Sequence, residues 1–514
     1  MKTTKCMSML AALWVTGFVT GPARGQDADA GPIADGGQLE SFAARHPRGL
    51  IAPEAEALTV ELPPTIVPAG GSDSPCDEVG YIEPAGQDVR TVLNALLWTD
   101  TPDGGKVARL ELRSPGAEGL RVELTDIRYL ELRVYDPVSG AAFGPYRYPR
   151  TDEQGRWWST VIFGDTIGLE WHLPAHHDLP QPLPEIVSVA YLYEPLMADG
   201  PPPAGTCEPD VTCYPAWNGS VEERAVGLLL YNCTLTSCGQ CTGAMLNRSP
   251  SDIPTGWVSP IFMTARHCIN TQAAANTAIV IWDFKTTTCN GTAPNQNTLP
   301  RNDGALLLKT SFQDEWTILG LFERDDTGNY AGWDANFLGD GSFVTSVNHG
   351  AGQPKRIAAG GKTGGSNCLG APNEWTVEYT LGRTIPGASG SPLFDDSRRV
   401  RGTLSCDNRM CPPDQQSWYG RFDTAFGMLQ YYLFAMPNPT YANRFVGGDP
   451  GNDGTGERGT AANPFNTVYE ATFCVPTYGT VEVVPGNYNE RFTVWRPMTL
   501  VRSGGSGMVV LGAP

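Results

Sequence analysis

Three segments carry residue types that together perform acyl transfer. His267 follows an apolar run and precedes a cysteine in Phe262-Met263-Thr264-Ala265-Arg266-His267-Cys268. Asp303 stands before the strand-like run Gly304-Ala305-Leu306-Leu307-Leu308. Ser389 lies in the glycine-rich turn Pro386-Gly387-Ala388-Ser389-Gly390-Ser391, ahead of Pro392-Leu393-Phe394. A serine hydroxyl is a poor nucleophile unless a histidine accepts its proton. A buried carboxylate must then fix the imidazole tautomer and stabilise the imidazolium. The glycines let the N–H groups of Gly387 and Ser389 converge as an oxyanion hole. Each segment alone is a weak signal, because lone histidines, glycine turns and strand-opening acids are common. Their order, His then Asp then Ser, is one in which such sets occur. Ser391 stands where a G-x-S-x-G elbow needs its last glycine, which argues against a serine esterase of the α/β-hydrolase type.

The elements that position these residues read as β-structure. The chain has 514 residues, 41% of them hydrophobic and 18% charged, enough apolar material for two to four packed domains. The 59 glycines and 43 prolines favour strands and turns over helical bundles. A net charge of -19 argues against nucleic acid or an anionic membrane as partner. Residues 1–25 read as a secretory leader, with Lys2 and Lys5 before an apolar run too short to span a bilayer. Residues 26–60 are a small, acidic linker, and 61–197 alternate apolar and polar at period two, as in an antiparallel β-sandwich. After the linker 197–206, residues 203–436 hold the His, Asp and Ser segments and ten cysteines, and 445–514 give short, regularly spaced strands.

TARHC, DGALL and GASGSPLF resemble the trypsin-like serine proteases, and the order of GTCEPDVTC, IWDFKTTTC, PKRI and WYGRF resembles the bacterial lysyl endopeptidase family. The resemblance implies an all-β chain: an N-terminal β-sandwich pro-region, a central double β-barrel with the site in its cleft, and no cofactor or metal. It casts His267 as general base, Asp303 as its orienter, Ser389 as nucleophile and Ser405 as support for the acid and start of the substrate-pairing strand. The C-terminal region resembles the start of a right-handed parallel β-helix, which suggests surface or glycan attachment.

The resemblance also pairs Cys207 with Cys411, Cys213 with Cys289 and Cys241 with Cys268. Cys233–Cys238 and Cys368–Cys406 complete a five-bridge expectation, while Cys76 and Cys474 are free to pair or not. A zinc site on 233, 238 and 241 is the alternative; export and an even count of 12 cysteines after the leader favour disulfides. His176-His177-Asp178 reads as an exposed loop rather than a metal site.

Specificity is where the resemblance breaks. Lysyl endopeptidases place a pocket Asp two residues before the Tyr of Y-G-R; here that position is Ser417. The position six before the nucleophile is Arg383, a cation that would repel basic side chains, with Asp407 near the pocket rim. No Lys or Arg occurs between Arg156 and Arg224, so self-cleavage in the 197–206 linker could not use a basic residue. The expectation is a secreted serine endopeptidase acting on protein or peptide substrates, not Lys-specific. A catalytically silent adhesion protein on the same fold is the alternative.

Overall fold

The computed structural model describes residues 33–34, 37–38, 47–67, 77–194 (except 126, 128, 129, 148, 150, 153 and 181), 207–232, 237–247, 261–322, 329–433, 440–442, 461, 464–475, 479–490, 494, 498–504 and 507–512. The leader at 1–25, the 197–206 linker, Cys76 and Cys233 lie outside the described residues. Among the described residues no helix is long and apolar enough to cross a membrane.

The alternating pattern of the N-terminal region becomes strands. In Lys106–Arg113, Ala108, Leu110 and Leu112 are buried on one face while Arg109 and Glu111 on the other are half-buried. One sheet orders Ala57–Glu61, Lys106–Arg113, Thr166–Leu173, Glu131–Tyr135 and Ala142–Tyr146. A second runs Arg156–Trp158, Gly119–Thr125, Ile186–Leu192 and Asp77–Pro84. Leu110, Leu112, Leu169 and Trp171 of the first share a core with Leu120, Val122, Leu124 and Val189 of the second. The second sheet then continues without a break. Asp77–Pro84 pairs antiparallel with Ser237–Leu246, through Tyr81 opposite Ser237 and Asp77 opposite Gln240.

Ser237–Leu246 belongs to a closed six-stranded barrel. It pairs with Val226–Asn232 and Ile261–Ala265. Ile261–Ala265 pairs with Trp316–Leu321, which pairs with Ala305–Ser311. Arg301–Asp303 pairs with Ile279–Ile281, and that strand closes the ring on Val226–Asn232. A second ring joins Phe343–Asn348, Arg356–Gly365, Glu374–Leu381, Ser417–Arg421, Val400–Asp407 and Pro392–Asp395, the last pairing back onto the first. Trp282, Trp316, Trp333 and Trp375 are fully buried within these rings and the helix beside them. Burying a large apolar side chain contributes roughly 1.5–3 kcal/mol.

The helix Phe422–Leu433 follows, stacking Phe422 and Phe426 on Trp333 with ring centroids 5.7 and 5.2 Å apart. The C-terminal strands pair in parallel: Thr440–Ala442 with Thr480–Val483, that strand with Thr499–Arg502, and Gly486–Tyr488 with Val509–Leu511. The helix Val468–Cys474 lies between, capped by Thr467, whose hydroxyl accepts from the Glu470 N–H at 3.0 Å.

Candidate active site

The strand Ile261–Ala265 ends one residue before Arg266 and delivers His267 to the cleft. Its neighbour sets what the imidazole meets. Thr264 lies opposite Thr317 and Ala265 opposite Trp316, so the next side chain outward on that partner is Glu315. Glu315 Oε1 accepts from both the backbone N–H of His267, at 2.7 Å, and Nδ1–H, at 2.8 Å. The carboxylate is 2% exposed, and Glu315 sits in the left-handed region at φ 49°. A non-glycine residue held there costs of order 1–3 kcal/mol and is found where surrounding structure fixes a functional geometry. The Arg266 N–H, donating to the Glu315 carbonyl at 3.2 Å, is part of that surrounding structure.

Asp303, the acid expected beside His267, stands elsewhere. Its strand pairs with Ile279–Ile281, with Asp303 opposite Ile279, and not with the strand of His267. Its Oδ2 accepts from the Tyr146 hydroxyl of the N-terminal region at 2.6 Å. The expectation failed because an extra hairpin separates the two acids. DGALL opens the strand before that hairpin, and Glu315-Trp316-Thr317-Ile318-Leu319 opens the strand after it. The signal that marks Glu315 in the sequence is the same one that marked Asp303, an acid before an apolar β-run.

Ser389 occupies a turn whose backbone is held at several points. Gly387 and Gly390 take φ values of 90° and 86°. A Cβ at Gly390 would lie 2.2 Å from the Thr242 carbonyl and 2.3 Å from Thr264 Oγ1, so only glycine fits. The Gly390 N–H donates to Leu404 O at 2.8 Å, and the Thr242 N–H to Ser389 O at 2.8 Å. The Cys241–Cys268 disulfide ties the residue before Thr242 to the residue after His267, and Cys268 Sγ lies 3.9 Å from Ser389 O. The His267 segment is therefore disulfide-linked to the strand of Thr242, and that strand holds the Ser389 turn by a hydrogen bond.

The pocket candidates separate into two groups. Thr384 and Ser417 are fully buried and hydrogen-bonded at 2.7 Å, and Gln415 Nε2 donates to Ser417 Oγ at 2.5 Å. Ser405 is buried in the strand Val400–Asp407 against Glu374. Burial raises the Glu374 carboxyl, while Ser405 and the Cys368 N–H at 2.5 Å pull it down in part; it also feels Glu315 and His267. Burial pushes the Asp407 carboxyl up to about 6, against the Arg409 N–H that it accepts at 2.8 Å. Arg383 is committed elsewhere: its guanidinium pairs with Glu208 and donates to Arg409 O at 2.7 Å. The expected repelling cation is thus held by the segment beside the Cys207–Cys411 bridge.

Four bridges are present: Cys207–Cys411, Cys213–Cys289, Cys241–Cys268 and Cys368–Cys406. The expected Cys233–Cys238 bridge is corrected, because Cys238 is a free buried thiol. It points into the apolar core shared by Val79, Ile82, Leu228 and Ile279, where burial pushes it up to about 12. Cys241, Cys268 and His267 are close enough to suggest a metal cluster, but both sulfurs are spent in one disulfide. That also removes Cys241 from a zinc set. His176, His177 and Asp178 are exposed in a loop.

Residues 202–420 match the lysyl endopeptidase C-terminal domain, and 83–192 match the lysyl endopeptidase N-terminal domain. The lysyl endopeptidase of Pseudomonas aeruginosa is 29% identical over 365 residues, covering 66% of this chain and 78% of that protein. Among solved structures, the HtrA-type protease AlgW with a tripeptide aligns at 15% identity, covering 42% of this chain and 64% of that chain, with TM-score 0.30. An M. tuberculosis protease in its active form aligns at 15% identity over 45% of this chain and 90% of that chain, with TM-score 0.29.

By these matches the chain is a serine endopeptidase. Two of its regions, residues 83–192 and 202–420, are similar to the two domains of the lysyl endopeptidases.

Proposed function

We propose that this protein is a secreted endopeptidase that cleaves peptide bonds through an acyl-enzyme on Ser389, with His267 as general base and Glu315 as the carboxylate that orients it. One observation carries the reading: Glu315 Oε1 grips both N–H groups of His267, whose segment is disulfide-linked to the strand that holds the Ser389 turn. With Nδ1–H donated to Glu315, Nε2 is the nitrogen left to accept the Ser389 proton. That proton then passes to the leaving amine, and water, deprotonated by the same imidazole, releases the acid. The N–H groups of Gly387 and Ser389 would receive the oxyanion.

Primary specificity is not for Lys. Ser417 holds no charge and its hydroxyl is already bonded to Thr384 and Gln415, so the position supplies no anion of its own for a Lys ammonium, and the carboxyl opposite it in the strand pair, Asp407, is pushed up to about 6 by burial. The N-terminal region is read as a β-sandwich pro-region and the C-terminal strands as the opening of a β-helix serving attachment. The leader-like segment and the four bridges support export. A proteome-derived peptide library, with a fluorophosphonate label on Ser389 read alongside, tests the whole. Labelling lost in Ser389→Ala and cleavage after residues other than Lys are expected; clean cleavage after Lys overturns the specificity, and an unlabelled wild type overturns the mechanism.

A further inference from the structure

A hole made of backbone N–H groups works only if its peptide planes are fixed before the reaction. Two residues would supply the donors here, Gly387 and Ser389; their N–H groups lie in the Pro386–Gly387 and Ala388–Ser389 peptide units, and Thr242 holds the carbonyl of the peptide unit that follows each. Thr242, fully buried in the strand Ser237–Leu246, donates its backbone N–H to Ser389 O at 2.8 Å. Its hydroxyl donates to Gly387 O at 2.9 Å. The same hydroxyl accepts from the His349 N–H at 3.0 Å, which aims its own hydrogen at Gly387. The Thr242 carbonyl in turn accepts from Thr264 Oγ1 at 2.7 Å, inside the strand that carries His267. Thr242 thus spans both barrels: it stands in the first and grips the turn of the second on both sides of Ala388.

We infer that Thr242 is the positioning residue of the oxyanion hole: by holding the carbonyls of Gly387 and Ser389, in the peptide units on either side of Ala388–Ser389, it fixes the turn that carries both donor N–H groups. This rests on the serine-endopeptidase reading above. The hydroxyl does not touch substrate. It acts on the rate by holding the donors where charge develops, so its loss is felt in the transition state and not in ground-state binding.

Thr242→Val keeps shape and backbone but removes the hydroxyl, and Thr242→Ser restores it. The assay uses the purified, processed protein on its best library peptide, and a trifluoromethyl ketone of the same peptide, which forms an oxyanion on Ser389. The valine variant is expected to lose about 10- to 100-fold in kcat with KM nearly unchanged, and to bind the ketone more weakly by about the same factor. The serine variant regains most of both. A folded valine variant with wild-type kcat, or one with reduced kcat and undiminished ketone affinity, overturns the assignment. If Thr242→Val does not fold, Thr242→Ala is read by the same two measures against Thr242→Ser. Wild type that takes no phosphonate label sinks the parent reading; labelled wild type with an unaffected valine variant sinks only this one.

Discussion

Replacing Glu315 by Gln separates the two acids that could serve His267. The amide can keep its oxygen against the His267 N–H and Nδ1–H, now at 2.7 and 2.8 Å, so the hydrogen bonds and packing survive. What disappears is the charge. With the imidazolium and carboxylate centres about 4 Å apart and an effective dielectric of about 20, their attraction is about 4 kcal/mol. At about 1.4 kcal/mol per decade, that is close to a 10³-fold loss in kcat/KM. Asp303→Asn changes a group that accepts from Tyr146 and lies on a strand away from His267, so the loss there stays within a few-fold. Both variants are compared with wild type by kcat/KM on one peptide and by the rate of phosphonate labelling, with thermal unfolding run in parallel. A 10³-fold loss in a folded Asp303→Asn, paired with near-normal Glu315→Gln, would refute the assignment.

Three further outcomes are expected. Glu223 is buried between Lys355, at 2.7 Å, and Lys285, at 2.6 Å; burial alone would raise its carboxyl, but the two ammoniums hold it at about 2. Glu223→Gln leaves the buried Lys355 unpaired and should cost about 3–5 kcal/mol in urea unfolding, with a loss below 1 kcal/mol contradicting it. His349 is buried and neutral, pushed down to about 3 from 6.5, so the unfolded chain takes up a proton that the folded chain refuses. Stability is therefore lost as pH falls below about 6.5, at about 1.4 kcal/mol per pH unit from this residue, and a folded His349→Gln should lose that slope. Ser417→Asp places an anion beside the Thr384 hydroxyl and should raise kcat/KM on Lys peptides about tenfold or more; no gain in a folded variant would show that Ser417 does not face the substrate.

Much of the site was legible because chemistry constrains residue type. A histidine after an apolar strand and a serine among glycines with positive φ are demanded by geometry, and both lie where FMTARHC and GASGSPLF suggested. The cysteines outlined most of the framework, and four of the five bridges drawn from them are present. The acid was misread because an acid before leucines says that a strand begins, not which strand lies beside it. Pairing is a long-range property: Thr264 meets Thr317 across more than fifty residues of chain, and no local pattern at Asp303 or Glu315 reports that. Arg383 was misread for a related reason. Its position in the chain is the pocket's, but the direction of its guanidinium is set by Glu208, far off in sequence.

The unbroken pairing of Asp77–Pro84 with Ser237–Leu246 has a consequence for how the protein comes apart. Ile82, Val79 and Leu192 bury themselves with Leu228, Leu230 and Ile279, and the fully buried Arg301 lies with its guanidinium 3.9 Å from the centre of the Phe143 ring. Pulling the N-terminal region away would uncover a row of backbone donors and acceptors, an apolar face and a desolvated cation at once. In calorimetric terms the two regions form one melting unit: a single heat-absorption peak, whose area counts both regions together, for as long as this strand pair stays in place.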